Sequence, residues 1–77
     1  MQFVLDHPRN IRSFTYDANR CILVAHHLDG AATICSDVPP EMFEALANTL
    51  SPEELFLRYI RAHFDCETVT PSPPRLH

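Results

Sequence analysis

The chain contains one glycine, Gly30, and its position constrains the fold more than any other feature of the sequence. Gly30 follows Asp29, and an Asp-Gly pair supplies the positive φ angles that a two-residue hairpin loop requires. The flanking segments, residues 21–27 and 32–38, are rich in apolar and β-branched residues, as is typical of strands. The sequence therefore predicts two antiparallel strands joined by a tight turn.

Further strands are predicted on the N-terminal side of this hairpin. Residues 11–16 have strand character and are followed by a turn-rich segment that begins at Asp17. The apolar residues 3–5 suggest a short edge strand, which Pro8 would limit because proline lacks an amide donor. The expected sheet is an antiparallel meander of three strands, or of four if the edge strand forms.

A first helix is predicted near residues 40–49. Two prolines, Pro39 and Pro40, end the strand region, and proline is well tolerated in the first helical turn. Apolar residues then recur at helical spacing. They predict one buried stripe, which consists of Met42, Phe43, Leu46 and Leu50.

A second helix is predicted at residues 52–64. Ser51 is expected to cap it, and Glu54 is expected to complete a capping box. Leu50 and Leu55 occupy the two positions of a hydrophobic staple. The buried stripe predicted for this helix contains Leu55, Phe56, Tyr59, Ile60 and Phe64.

Together these elements predict a single α+β domain at residues 1–69, with both helices packed on one face of the strands. A chain of 77 residues allows one domain with a small core. Residues 70–77 are proline-rich, and they are predicted to form a disordered tail.

The composition narrows the classes of partner. Ten acidic residues against six arginines give a formal net charge of −4, which disfavours the long-range attraction that binding to nucleic acid needs. The N-terminus has no secretory pattern, and no stretch approaches the roughly 18 apolar residues of a membrane span. We therefore expect a cytoplasmic protein without membrane association.

Three cysteines, Cys21, Cys35 and Cys66, form an odd and sparse set. A disulfide-stabilised secreted domain usually has an even and denser set, so we predict reduced thiols. With a two-residue hairpin loop, Cys35 would lie opposite Val24, and Cys21 would point to the other face of the sheet.

Several residues occur in an order that is typical of one family. The strongest pieces are Tyr16-Asp17, Val38-Pro39 and Ile60-Arg61, and the other matching positions are Ile11, Ser13, Ile22, Val24, Gly30, Leu46, Ser51 and Phe56. Over about residues 11–64, the chain resembles the KTSC domain family. That family is named for a segment at the C-terminus of some lysyl-tRNA synthetases, and it also occurs as short bacterial and phage proteins.

The resemblance implies at most a binding appendage for nucleic acid or protein, and fold-level likeness does not define an activity. The family usually has an aromatic residue at the position of His26 and tyrosines near Thr33 and Cys35. It usually has glycine near Glu53, tyrosine near Leu55 and asparagine near Leu57. If those family residues form a ligand surface, this chain has lost much of it.

One pair of residues raises the question of metal binding or catalysis. His63 and Cys66 have the spacing of a metal-ligand pair, but a structural zinc site needs four ligands and the second pair is missing. The two residues could also be a thiol nucleophile and its base, but no orienting residue or oxyanion-hole signature accompanies them. We expect no metal, no cofactor and no enzymatic activity.

The strongest candidates for a binding site are Arg58 and Arg61. They lie three residues apart, and so are neighbours on the outer face of the second helix, beside Leu57. Two guanidinium groups can bind a phosphate or the carboxylate of a partner. The alternatives are a solvated helix face and a structural ion pair of Arg61 with Asp17 or Asp37.

A second candidate motif is Tyr16-Asp17, which could bind a ligand or could have a structural role. Tyr16 is expected to be an aromatic residue of the sheet. Asp17 is expected to be a turn residue whose carboxylate accepts hydrogen bonds from nearby amides. The structural interpretation is favoured over the functional one.

Two functions are compatible with these patterns. The first is a protein-interaction module that uses Leu57, Arg58 and Arg61. The second is a nucleic-acid-binding appendage, as the resemblance to the synthetase segment implies. The net charge favours the first function.

Overall fold

The computed structural model describes residues 1–70 as a five-stranded antiparallel sheet with two helices, which confirms the predicted α+β class. The strands lie side by side in chain order, as β1 Gln2–Val4, β2 Ile11–Asp17, β3 Ile22–His27, β4 Ala32–Cys35 and β5 Cys66–Val69. Residues 71–77 of the predicted tail lie outside the described part of the chain. Among the residues described, no helix is long and apolar enough to cross a membrane.

The sheet has five strands, where three or four were predicted. β1 is the edge strand that residues 3–5 suggested, shifted by one residue. Residues 65–69 were expected to form a short extended end, but β5 was not predicted as a strand of the sheet, because its four residues are mostly exposed and show no apolar pattern. Its pairing with β4 depends on the two helices, which return the chain to that edge of the sheet.

The β3–β4 hairpin has a three-residue loop, residues 28–30, instead of the predicted two-residue loop. The His27 amide donates to the Ala31 carbonyl at 2.8 Å, and the Gly30 amide donates to the His27 carbonyl at 3.1 Å. Gly30 has a φ of 94°, which lies in the left-handed region that closes a loop of this length. The extra loop residue shifts the strand register by one position.

This register determines the state of the cysteines. Cys35 lies opposite Leu23, not opposite Val24 as predicted, and its side chain is fully buried in the core. On the other side of β4, Cys66 faces Cys35 with Cα atoms 4.1 Å apart, and the two sulfurs form a disulfide. The prediction of reduced thiols is therefore wrong for these two residues. Cys21 is a free thiol in the turn before β3.

The first helix, Pro40–Asn48, agrees with the prediction and buries Phe43 and Leu46. Leu50 does not extend its apolar stripe. It is fully exposed, because the chain leaves the helix at Thr49 in an extended conformation. Leu50 therefore cannot form the predicted hydrophobic staple.

The second helix consists of an α-helical turn at Pro52–Leu55, a π turn at Phe56–Ile60 and a last α-helical turn at Arg61–His63. Ser51 makes no capping hydrogen bond, in contrast to the prediction. Its ψ of 69° is far from the extended conformation in which a capping side chain reaches the helix amides. Tyr59 was predicted to be buried, but it is 57% exposed.

One apolar core joins the sheet to both helices. Phe14 of β2 contacts Phe56 with ring centroids 5.5 Å apart, and Tyr16 stacks on Phe43 at 5.2 Å. The buried cluster contains Ile11, Phe14, Tyr16, Leu23, Ala25, Cys35, Val38, Phe43, Leu46, Phe56 and Ile60. The remaining side of the second helix faces solvent.

Candidate functional site

The π turn in the second helix sets which of its side chains face outward. The Arg61 amide donates to the carbonyl of Phe56, five residues earlier. Phe56 and Ile60 are fully buried, whereas Leu57 is 45% exposed and Arg61 is also exposed. Because π turns within α-helices are frequent at functional sites, the side with Leu57 and Arg61 is a candidate binding surface.

Leu57 and Arg61 line a groove of about 340 Å³, together with the loop before β2 and the β3–β4 turn. We name this surface the Leu57 groove. Its lining residues are Arg9, Asn10, Ile11, His27, Leu28, Asp29, Leu57 and Arg61. Leu28 is 52% exposed, so the groove presents apolar surface from the turn as well as from the helix.

Two arginines against one aspartate line the Leu57 groove, a local excess of positive charge on a protein whose net charge is −4. Arg9 and Arg61 are both exposed, and within residues 1–70 neither takes part in an ion pair. Asp29 also lines the groove, but its Oδ1 already accepts a hydrogen bond from the Ala31 amide at 2.9 Å. The two guanidinium groups are therefore available to an anionic group of a partner.

Glu53 fixes the loop that forms one wall of the groove. Its Oε2 accepts a hydrogen bond from the Arg9 amide at 2.8 Å, and its Oε1 accepts from the amides of Asn10 and Ile11 at 3.0 and 3.2 Å. Burial by itself would raise the pKa of the Glu53 carboxyl. The three amides and the charge of Arg9 outweigh that effect and lower the pKa below its usual value.

The structure divides the three residues that were predicted to form one binding site. Leu57 and Arg61 share the Leu57 groove, whereas Arg58 lies with Tyr59 in a separate cleft beside the segment between the helices. The Arg58 Nε is 3.9 Å from Glu54 Oε1, and both side chains are well exposed. Arg58 therefore belongs to a solvated helix face, one of the alternatives considered from the sequence.

Tyr16 has a structural position. It is buried, and its hydroxyl donates to the Val38 carbonyl at 2.5 Å, which ties β2 to the segment before the first helix. Burial, followed by a hydrogen bond and charge interaction with Cys21, raises the pKa of Tyr16 to about 12. The side chain is therefore a neutral hydrogen-bond donor within the core.

Asp17 is the turn residue that the sequence predicted. Its Oδ1 accepts hydrogen bonds from the amides of Asn19 and Arg20 at 3.0 and 3.3 Å. Its Oδ2 lies 3.9 Å from the Arg20 Nε. Over residues 1–70, Arg61 forms an ion pair with neither Asp17 nor Asp37, so that alternative for Arg61 does not hold.

His63 and Cys66, which were considered as a ligand pair or a catalytic pair, each have another partner in the structure. Cys66 is in the disulfide, and the His63 Nδ1 donates to the Tyr59 carbonyl at 2.7 Å. In the part of the chain that the structure describes, no group of three or more His, Cys, Asp or Glu side chains is arranged to hold a metal ion.

Sequence reasoning missed Arg9, Leu28 and Glu53. The contacts between Glu53 and the loop at Arg9 span more than 40 residues, so no local pattern could show them. Leu28 did leave a signal, because an apolar residue in a tight turn departs from the polar residues that dominate turns.

Comparison with known proteins agrees with this fold. A KTSC domain model matches residues 8–64, a range that contains the whole Leu57 groove but ends before β5. The crystal structure of a KTSC domain protein from Yersinia pestis has a TM-score of 0.78 and 17% sequence identity, and the match covers 90% of this chain and 96% of that chain. A search of curated proteins found no match. Since the family model covers most of the chain, this protein belongs to the KTSC domain family.

Proposed function

We propose that this KTSC domain is a non-catalytic binding module that contacts an acidic protein partner through the Leu57 groove. The main support is the position of Leu57, an exposed apolar residue, beside Arg61, which has no carboxylate partner among residues 1–70. Arginine is enriched among the residues that dominate protein interfaces, and an apolar contact beside it excludes water from the charged pair.

The chemistry of the groove suggests the kind of partner. Leu57 and Leu28 offer apolar surface to one side chain, while Arg9 and Arg61 can each bind a carboxylate through charge-assisted hydrogen bonds. The partner that fits presents an apolar residue flanked by acidic residues. Because Glu53 already holds the Arg9 loop in place, less conformational entropy is lost on binding.

A binding role is also favoured by the state of Cys66, the residue that was considered as a nucleophile. A thiolate is required for nucleophilic attack by cysteine, and Cys66 is instead joined to Cys35. Tyr16, whose pKa is raised to about 12, is neutral at ordinary pH and donates its proton to a backbone carbonyl. Both groups thus have structural partners.

The experiment compares three single variants of a tagged protein, each checked for native folding by circular dichroism. Leu57→Asp and Arg61→Glu change the groove, whereas Arg58→Glu makes the same charge change in the separate cleft. Proteins captured by the parent are identified by mass spectrometry, and the affinity of a purified partner is then measured by calorimetry.

We expect both groove variants to weaken that affinity by tenfold or more, about 1.4 kcal/mol, and Arg58→Glu to change it little. Unchanged affinity in Leu57→Asp and Arg61→Glu would refute the proposal. If the parent instead shifts RNA or DNA at physiological salt with a steep salt dependence, the alternative of a nucleic-acid-binding appendage is correct.

A further inference from the structure

The Cys35–Cys66 disulfide encloses both helices, and we propose that it is a thiol-exchange site that controls the stability of the helical half. The two cysteines are 31 residues apart, and the segment between them contains Leu57 and Arg61. A reversible bond at this place would link the thiol state of the surroundings to the binding face. That regulatory part rests on the proposed function, whereas the stability part stands alone.

The two sulfurs differ in their access to solvent. Cys35 is fully buried beneath the helices, so an external thiol cannot reach it in the folded protein. Cys66 is only partly buried, and it begins β5, an edge strand whose other residues are exposed. Thiol–disulfide exchange depends on access and on which sulfur is attacked. The geometry therefore directs attack to the Cys66 Sγ.

The exchange proceeds in two balanced steps with a dithiol as the reductant. A thiolate of the dithiol attacks the Cys66 Sγ, the disulfide bond breaks, and its electron pair leaves on the Cys35 Sγ, which takes a proton from water. The second thiolate then attacks the dithiol's own sulfur in the mixed disulfide and releases Cys66. Two electrons reduce the protein, and the dithiol becomes a cyclic disulfide.

Breaking the bond weakens the hold on β5 and on the helices. β5 contributes one residue, Cys66, to the packing against the core. Its other attachments are the backbone pairing with β4 and the hydrogen bond between the Thr68 and Thr33 hydroxyls at 3.0 Å. A disulfide that closes a loop of this length removes much conformational freedom from the unfolded chain. Reduction restores that freedom, and in a domain this small the loss of stability is a large share of the total.

Charge near Cys66 determines which thiols react readily. Asp65 and Glu67 flank Cys66 in the chain, and Asp65 is exposed. Anionic thiols such as glutathione are repelled by this pair of carboxylates, whereas a neutral dithiol is not. We therefore expect reduction by glutathione to accelerate as added salt screens these carboxylates.

The test uses the wild-type protein first, so it does not depend on a variant that folds. Melting temperature is measured by circular dichroism in oxidising buffer and after reduction, with the number of free thiols determined by alkylation and mass spectrometry. We expect one free thiol before reduction and three after it, with a fall in melting temperature of about 15 °C. An equal melting temperature in both states, or three free thiols in oxidising buffer, would overturn the proposal.

Two variants complete the test. Cys66→Ser removes the bond at its more exposed end, and its melting temperature is expected to match that of the reduced wild type in either buffer. Cys21→Ser is the matched control, because it removes the thiol outside the disulfide and should leave the redox-dependent shift intact. A shift that persists in Cys66→Ser would refute the assignment to this bond.

The regulatory part is measured separately with the partner found by the groove experiment. Reduction is expected to lower its affinity by at least tenfold, because more of the free energy of binding is used to order the helices. If reduction changes stability but not affinity, the disulfide does not regulate the groove. If Leu57→Asp binds as the parent does, the failure lies in the proposed function instead.

Discussion

Glu53 is the residue that attaches the second helix to the loop before β2. Glu53→Gln replaces the carboxylate by an amide with one accepting oxygen, so at least one of the three loop amides loses its partner. We expect the free energy of unfolding to fall by about 1–3 kcal/mol. The control is Glu54→Gln, since Glu54 has only a long, exposed contact with Arg58 and should cost less than about 0.5 kcal/mol.

Urea denaturation measures both variants, and equal unfolding midpoints for the two would contradict this role of Glu53. The pH dependence provides a second readout. Because the pKa of Glu53 is lowered by folding, its stabilisation is complete above the pKa of the unfolded chain and is lost as the pH falls through the folded pKa. The difference between wild type and Glu53→Gln should therefore shrink in acid.

The contrast between Ser51 and Glu53 shows what a local pattern can predict at the residue scale. Ser51 stands in a good capping sequence, yet its backbone conformation prevents the hydrogen bond. Glu53 was expected only to favour the positive end of the helix dipole, and its contact with the loop was missed because its partners lie at residues 9–11. Asp17, whose partners are two and three residues away, was predicted correctly. Sequence reasoning succeeded where the contact is local.

At the scale of elements, the β3–β4 hairpin depends on the left-handed conformation of Gly30, with φ of 94°. Gly30→Ala places a Cβ in that conformation, and we expect a loss of about 1–2 kcal/mol in the free energy of unfolding. Gly30→Asn should lose less, since asparagine tolerates the left-handed region better than alanine does. Chemical denaturation that ranks asparagine below alanine would show that the loop relaxes to another conformation.

The elements that were predicted well are those whose signals are local. β2, β3, β4 and the first helix follow from alternation, turn residues and prolines in their own segments. The π turn at Phe56–Ile60 could not be predicted, because both of its end residues are apolar and a regular helix would also bury them. β5 and the disulfide could not be predicted either, since both depend on the two helices placing residues 66–69 beside β4.

In the candidate site, too, the local features were predicted and the features that depend on the tertiary fold were not. Leu57 was predicted to be exposed, and its exposure is confirmed, because it lies off the apolar stripe of its helix. Its grouping with Arg61 but not with Arg58 depends on the β3–β4 turn and on the loop at Arg9. These segments are far apart in sequence, and only the tertiary fold brings them into one groove.

At the scale of the whole molecule, the sheet has two different edges. β1 and β5 are both short and both end the sheet, but a covalent bond to the neighbouring strand exists only for β5. A disulfide that closes a loop this long contributes roughly 3–4 kcal/mol, which is a large part of the about 5–15 kcal/mol of a typical small domain. The stability of this fold is therefore expected to be unequal across the sheet.

Native-state hydrogen exchange can measure the local stability of each strand separately. In oxidising buffer, we expect the slowest exchange in β2 and β3, which have neighbours on both sides and contain Phe14 and Leu23 of the core. β1 should exchange fastest by local fraying, and β5 should be slower than β1 because the disulfide resists its separation from β4. Equal rates in the two edge strands would contradict this order.

Reduction then distinguishes the covalent contribution from the rest of the fold. The amides of β5 should exchange at least about tenfold faster once the bond is broken, because β5 can then separate from β4 without remaining attached to Cys35. β1 is the internal control, because it lies at the opposite edge of the sheet and opens by local fraying in both states. The measurement is mass spectrometry of peptides from oxidised and reduced protein under identical conditions. If β1 accelerates as much as β5, the effect of reduction is global, and the disulfide does not act on its own edge of the sheet first.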